Sequence, residues 1–370
     1  MDISKRVVTV RAPVNIAVVK YWGKKDENSI VPLNNSISAT LNIDDLCATT
    51  TIKASSESTE DQFWLNGQQQ SIKENLRLSR CLETVRSIAK TKYDGPLLIN
   101  SNNNFPTAAG LASSAAGYSC LVSALGAFFD IDDKKVLTKL ARLGSGSACR
   151  SIYGGFVEWK AGTDHDSSFA EQIVDENHWS SLRVLILVLN DAAKEVSSTG
   201  GMKRSVETSK LLEYRAKAIV PERCQQMRTA ILDQNFHRFA ELTMKDSNQF
   251  HATCLDTYPP IFYLNQASKA VIELVHAFND YHGKNKVAYT FDAGPNAFLF
   301  MEKDQMTTML TLVNHFFPSE EPKLSQWKEN FPHIDTGLIE ALSKKLNIMP
   351  GCLKGHFLTQ VGSGPEVKII

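Results

Sequence analysis

Pro106-Thr-Ala-Ala-Gly-Leu-Ala-Ser-Ser-Ala-Ala-Gly117 is a run of small residues that opens a long apolar segment reaching Phe129. Polar turn material at Ser101–Asn104 precedes it, which places the run at a loop-to-helix junction and predicts a helix over about Gly110–Phe129. Nearly every face of that helix is small or apolar, so it is expected to be buried. Small residues at such a junction let backbone N–H groups approach a ligand closely, and free amides at a helix start favour phosphate. Ser113 and Ser114 add hydroxyls suited to phosphate or to a bound magnesium. On composition alone a second reading is equally open, in which Gly, Ala and Ser simply allow tight helix packing. No Gly-Lys-Ser/Thr follows and no Gly-x-Gly-x-x-Gly is present, so the segment is neither a Walker A loop nor a dinucleotide fingerprint.

Working outward, the first half mixes strands and helices. Val7–Arg11 and Ala48–Lys53 are β-branched runs with strand character. Gln62–Leu65 followed by Asn66-Gly67 reads as a hairpin, because Asn-Gly accepts the positive φ angles of a tight primed turn. Glu74–Lys90 reads as a helix, Phe156–Trp159 as a strand after Gly154-Gly155, Gly162–Ser168 as a loop and the aliphatic Val184–Leu189 as a buried strand. From about residue 200 the pattern is mainly helical. Asn265–Tyr281 puts Ala267, Val271, Leu274, Val275 and Phe278 on one stripe, and Val287–Thr290 and Ala297–Met301 are strand candidates around a turn. Asp304–Phe317 reads as a helix and His356–Gln360 as a last strand. Both element types occur without regular βαβ alternation, which points to α+β, with a domain boundary expected near residue 190.

Composition narrows the function classes. The chain has 370 residues, and at roughly 100–200 residues per domain two domains are expected. Forty Lys+Arg balance forty Asp+Glu, so no global excess of positive charge argues for nucleic acid or an anionic membrane. The longest purely aliphatic run falls far short of the roughly 20 residues a membrane helix needs. The opening MDISKR has no apolar run behind it, so no signal peptide is expected. Seven widely spaced cysteines without Cys-x-x-Cys predict reduced thiols in a cytoplasmic protein rather than disulfides or a zinc site. No His-Glu-x-x-His occurs among the nine histidines, which disfavours metal-centred hydrolysis.

Three further segments carry polar chemistry. Gly144-Ser-Gly-Ser-Ala-Cys-Arg150 presents amides and hydroxyls with a guanidinium suited to bidentate carboxylate or phosphate binding. Lys20-Tyr-Trp-Gly-Lys24 places two cations around two aromatics. Asp292-Ala-Gly-Pro-Asn296 sits between two strand candidates. Each also has a plain reading, as a helix cap, a strand end with snorkelling lysines and an ordinary turn.

Together these strings resemble the mevalonate diphosphate decarboxylase family, of the galactokinase–homoserine kinase–mevalonate kinase–phosphomevalonate kinase superfamily. Matching strings include Ala12-Pro-Val-Asn-Ile-Ala17, Lys20–Lys24, Trp64-Leu-Asn-Gly67, Asn103–Gly117, Gly144–Arg150 and Ser197-Ser-Thr199. They continue through Met244-Lys-Asp-Ser-Asn248, Phe250-His-Ala-Thr-Cys254, Tyr289–Asn296 and Thr359-Gln-Val-Gly362. They keep the family's order over nearly the whole chain. The resemblance implies ATP-dependent conversion of (R)-5-diphosphomevalonate into isopentenyl diphosphate, with ADP, phosphate and carbon dioxide released, as a step of isoprenoid and sterol biosynthesis. The fold it implies is two α+β domains, an N-terminal one like ribosomal protein S5 domain 2 (residues 1–190) and a ferredoxin-like C-terminal one (191–370). The active site is then expected in the cleft between them.

Carried over by position, Asp292 matches the group that orients or deprotonates the substrate's tertiary hydroxyl, and Lys20 its cationic neighbour. Arg150 matches the arginine that binds the substrate carboxylate. Tyr21, Trp22, Gly23, Lys24, Arg77, Ser145, Gly146, Ser147, Ala148, Cys149 and Thr199 fall on substrate-contacting positions. Gly110, Leu111, Ala112, Ser113 and Ser114 fall on the loop that faces the ATP phosphates. ATP is then the co-substrate, Mg2+ is expected with it, and a homodimer is the expected assembly. One departure stands out: where family members commonly read Asn-Ser-Ser, this chain reads Asn34-Asn35-Ser36, which bears on the substrate geometry there.

Overall fold

A computed structural model describes residues 2–105, 113–189, 195–319 and 336–370. Strand Val7–Pro13 alternates inward Val8, Val10 and Ala12 with half-exposed neighbours, the period-two pattern of a strand with one buried face. It pairs antiparallel with Cys47–Ala54, which pairs with Leu97–Asn103. The hairpin Gln62–Leu65 and Gln68–Gln70 extends this sheet to six strands, together with a late strand on the opposite edge. Asn66 and Gly67 both take positive φ, 49° and 78°, as a type I′ turn requires. The helix Ser113–Phe128 covers the buried face, inaccessible on nearly every side as its composition predicts.

A second, four-stranded sheet holds Asn15–Val19, Ser36–Thr40, Phe156–Lys160 and Phe169–Val174. A third holds Leu182–Val188, Val287–Phe291, Ala297–Glu302 and Gly355–Gln360, all antiparallel. Counted along the chain, its strands lie in the order 4-1-3-2, the ferredoxin-like order. The aliphatic run expected at Val184–Leu189 falls in Leu182–Val188, one of its two inner strands, buried on both faces.

Helix ends follow local chemistry. The helix expected over Glu74–Lys90 spans Leu76–Ile88, because the Asn75 side chain accepts the Leu78 N–H and caps it. The one starting at Asn265 is closed by a capping box in which Asn265 and Ser268 satisfy each other's backbone N–H groups. Helix Phe236–Asp256 packs against both Val287–Phe291 and Asn15–Val19, so it braces the second sheet against the third.

The chain closes on itself. Glu366–Ile369 pairs antiparallel with Val8–Arg11, so the last strand lies in the first sheet. Just before it, Gly362 passes so near the main chain of Asn42 that a Cβ would lie 2.4 Å from Asn42 Cα. The Thr359–Gly362 string therefore has a packing role.

Candidate active site

Strand Asn15–Val19 carries an irregularity in register between Ala17 and Val19, a local twist of the kind that re-aims side chains. Lys20 follows it. Its ammonium is buried, and Nζ lies 2.7 Å from Asp292 Oδ1. Burial pulls the Lys20 pKa below the ordinary lysine value, against the attraction of the Asp292 and Asp246 carboxylates and assisted by repulsion from Arg150.

Asp292 begins the turn between Val287–Phe291 and Ala297–Glu302, and that turn is pinned from several directions. Asn296 Oδ1 accepts the Leu189 N–H at 2.7 Å, Pro295 O accepts the Ser268 hydroxyl at 2.8 Å and Ser247 Oγ accepts the Phe291 N–H at 3.1 Å. A plain turn would leave its aspartate in water. This one presents a carboxylate, about one-third exposed, to a buried lysine.

Arg150 lies in the 3-10 turn Gly146–Ile152. Its Nε donates to Asn15 Oδ1 at 3.2 Å and its Nη1 to Ser36 Oγ at 2.7 Å. The Asn15 amide in turn donates to Ser147 O and Ser151 Oγ. Two arms of the guanidinium are thus fixed, and Nη2 has no hydrogen bond among the described residues. Desolvation pulls the Arg150 pKa down, yet a guanidinium keeps its charge in a protein.

These groups face a cavity of about 340 Å³, lined from both halves of the chain. From the first half come Lys20, Tyr21, Trp22, Lys24, Arg77, Ser113, Ser114, Ser145, Gly146, Ser147 and Arg150; from the second come Thr199 and Asp292. Arg77 Nη2 donates to Thr199 Oγ1 at 2.7 Å, bridging the two halves. The Tyr21 ring packs against Trp159 with centroids 4.6 Å apart and planes tilted by 60°. Gly146 is what admits this pair, since a Cβ there would lie 2.9 Å from both rings. Ser114, Ser145 and Ser147 form a chain of hydroxyls spaced 3.3 and 3.4 Å apart.

Not every expected residue reaches the wall. Gly23 sits behind it at φ +85°, where a Cβ would strike Leu33 at 2.6 Å. Ala148 and Cys149 turn inward to the core, because successive residues of a 3-10 turn face different ways; burial pushes the Cys149 thiol up to about 12, which removes it as a nucleophile. Trp22 lines the cavity, but its indole N–H is committed to Ser205 Oγ at 2.9 Å. Gly110, Leu111 and Ala112 lie outside the described residues.

Sequence reasoning gave no role of their own to Asn15 and Ser36, which aim Arg150, although family strings and the Asn34–Ser36 departure contain them, nor to Ala17, Ile30, Ser197, Ser198, Met202, Phe250 and Ala293, which also line the wall. The Asn34-Asn35-Ser36 departure has a structural account. Asn35 points away from the cavity, donating to Glu158 Oε1 and accepting the Ala161 N–H, while Asn34 donates to Lys20 O and Ser36 serves Arg150. Among the described residues no group of three or more His, Cys, Asp and Glu could hold a metal ion, and no helix is long and apolar enough to cross a membrane.

Known proteins resemble this chain over nearly its whole length. Residues 12–170 match the diphosphomevalonate decarboxylase-like N-terminal domain, and residues 184–368 match the mevalonate 5-diphosphate decarboxylase C-terminal domain. The diphosphomevalonate decarboxylase of Bos taurus is 50% identical over 98% of this chain and 93% of its own length. That of Schizosaccharomyces pombe is 44% identical over 100% of this chain and 96% of its own. Among solved structures, mevalonate diphosphate decarboxylase from Trypanosoma brucei superposes with a TM-score of 0.86 at 36% identity, covering 98% of each chain. MDDEF, solved in complex with MVAPP, AMPPCP and magnesium, superposes with a TM-score of 0.78 at 32% identity, again over 98% of each chain. With both domain models matched in order across one lysine–aspartate cleft, the chain belongs to the diphosphomevalonate decarboxylase family.

Proposed function

We propose that this cleft carries out the ATP-dependent decarboxylation of (R)-5-diphosphomevalonate to isopentenyl diphosphate, with Asp292 and Lys20 acting at the tertiary hydroxyl and Arg150 at the carboxylate. The observation that carries this reading is the Lys20–Asp292 ion pair at 2.7 Å, set in one cavity with Arg150.

A tertiary hydroxyl is a poor leaving group, so it is first phosphorylated. Asp292 orients it and takes its proton as the oxygen attacks the γ-phosphorus of ATP, and ADP leaves. Lys20 offsets charge on Asp292 and on the transferring phosphoryl group. The oxygen now carries the phosphoryl group through a new O–P bond; the substrate's own C3–O bond then breaks, inorganic phosphate departs with the bonding pair, and positive charge develops at the third carbon. The electrons of the carbon–carboxylate bond form the alkene, and carbon dioxide is released. Arg150 holds the carboxylate through Nη2 in the geometry this fragmentation needs, since Asn15 and Ser36 fix its other two nitrogens. Lys24, Arg77, Tyr21 and the hydroxyls of Ser145, Ser147 and Thr199 are suited to the substrate diphosphate. Ser113 and Ser114, with Gly110–Ala112 ahead of them, are suited to the ATP phosphates and their Mg2+, a hard cation that prefers oxygen ligands.

We divide the chain for this work at residue 190, with the phosphate loop in 1–190 and Asp292 in 191–370. The change from the second to the third sheet between Val174 and Leu182 supports a division in this region, while Leu182–Val188 and the returning Glu366–Ile369 tie the two parts together. A cytoplasmic location is supported by seven free thiols, six of them buried. A homodimer rests on family resemblance.

The test is incubation with diphosphomevalonate and Mg-ATP, scoring ADP, phosphate and carbon dioxide together. Equal amounts of all three are expected. ADP formed with a stable phosphorylated product and no carbon dioxide would contradict the proposal.

A further inference from the structure

Asp246 is completely buried in the middle of helix Phe236–Asp256. A lone carboxylate there would be prohibitive, and two guanidinium groups compensate it. Oδ1 accepts from Arg223 Nη1 at 2.9 Å and Oδ2 from Arg215 Nη2 at 2.9 Å. Gln249 Oε1 accepts from both arginines. If the cluster served only to staple helices, these contacts would suffice. Its shortest bond goes elsewhere: Asp246 Oδ2 accepts the main-chain N–H of Lys20 at 2.7 Å.

The other side of Lys20 is held by the same cluster. Its carbonyl accepts from Arg215 Nη2 at 3.2 Å and from Asn34 Nδ2 at 3.1 Å. Arg215 opens a π-helical turn, Arg215–Ile219, a local widening that often marks functional positions. Lys20 lies just past the end of its strand, beyond the register irregularity, so the sheet ladder does not fix its peptide groups. Direction at this point comes from the buried pair, and the Lys20 side chain leaves it straight for Asp292. The Asp246 charge also opposes the burial that lowers the Lys20 pKa, in company with Asp292 and against Arg150.

We propose that Asp246, together with Arg215, is a positioning residue for Lys20, gripping its main chain on both sides so that the ammonium is held on Asp292. The proposal rests on the role of Lys20 in the function proposed above.

A double-mutant cycle separates positioning from simple stabilisation, because residues that act through one another are not additive. The measurement is kcat per folded enzyme with both substrates saturating, for Asp246→Asn and Arg215→Lys, each in the parent and in a Lys20→Met background. Asp246→Asn removes the charge and Arg215→Lys keeps a cation that cannot reach Lys20 O and Asp246 together. In the parent each should lower kcat by about 10- to 100-fold, the scale of a misplaced reacting group, with KM for ATP little changed. In Lys20→Met each should change kcat by no more than about twofold. Equal losses in both backgrounds, or parental kcat in both variants, overturn the proposal, as does a failure of both variants to fold, which would make the cluster a requirement of the fold alone. A Lys20→Met enzyme with parental kcat removes Lys20 from the chemistry itself; a slow Lys20→Met enzyme with additive losses removes only the grip.

Discussion

Lys20 Nζ and Asp292 Oδ1 stand 2.7 Å apart although 272 positions separate the two residues in the chain. One comes off a strand of the second sheet and the other from a turn of the third, so the contact exists only when both halves are assembled. Lys20 is nearly inaccessible and Asp292 about one-third open. The lysine is thus held inside the wall, while the carboxylate keeps a face open to the cavity.

Arg150 tests the carboxylate end of the site. Arg150→Lys keeps a positive charge but cannot hold Asn15 and Ser36 while offering a further N–H to substrate. We expect kcat/KM for diphosphomevalonate to fall at least about 10-fold with KM for ATP nearly unchanged. Steady-state kinetics on both substrates check this, and unchanged kinetics would remove Arg150 from the site.

Gly146 tests the wall. A methyl group there would stand 2.9 Å from Tyr21 and Trp159, so Gly146→Ala forces at least one of the two rings to shift, and Tyr21 is the one that lines the cavity. The expected result is a KM for diphosphomevalonate raised by about 10-fold, since misplacements near 1 Å are costly in reacting complexes, with the folded state retained by circular dichroism. A parental KM would show that the Tyr21 ring does not shape the substrate space.

His251 gives a pH dependence of stability. Burial pushes its pKa down to about 3, with the Lys20 charge acting in the same direction. A histidine whose folded pKa lies below its unfolded value of about 6.5 contributes stability that is complete above that value. The contribution is lost as pH falls from about 6.5 toward 3, at no more than about 1.4 kcal/mol per pH unit. Urea unfolding at pH 7 and pH 5 should show this acid weakening, and His251→Phe should flatten it. Equal slopes in parent and variant would contradict the assignment.

The parts of the fold that were legible are those set by neighbours in the chain. Asn66-Gly67 marked its hairpin, Asn265 its helix start and Val184–Leu189 a buried strand, since each signal is local. Strands Asn15–Val19 and Ser36–Thr40 were passed over. They are fully buried yet carry Asn15, Ser36, Ser38 and Thr40, and polar residues in a buried strand make sense only through distant partners, as Asn15 finds in Ser147 and Ser151. Asp246 was hidden for the same reason: a charged residue on a helix reads as solvent-facing, and its partner Lys20 is 226 positions away. In the site, family strings pointed to Lys20, Arg150 and Asp292, whereas the inward turn of Ala148 and Cys149 needed the geometry of the 3-10 turn.

Whether Asp292 acts on the substrate hydroxyl or merely shapes a turn is decided by Asp292→Asn. Asparagine keeps the size and most of the turn's hydrogen bonding, so a turn-only role changes little. It can neither take the hydroxyl proton nor pair as a carboxylate with Lys20. Turnover and nucleotide affinity are to be measured on the same folded variant. With Asp292 acting on the hydroxyl, turnover should fall by about 100-fold or more, the scale for losing a positioned acid–base group, with ATP affinity within about twofold of the parent. A folded Asp292→Asn enzyme with near-parental turnover would contradict that role.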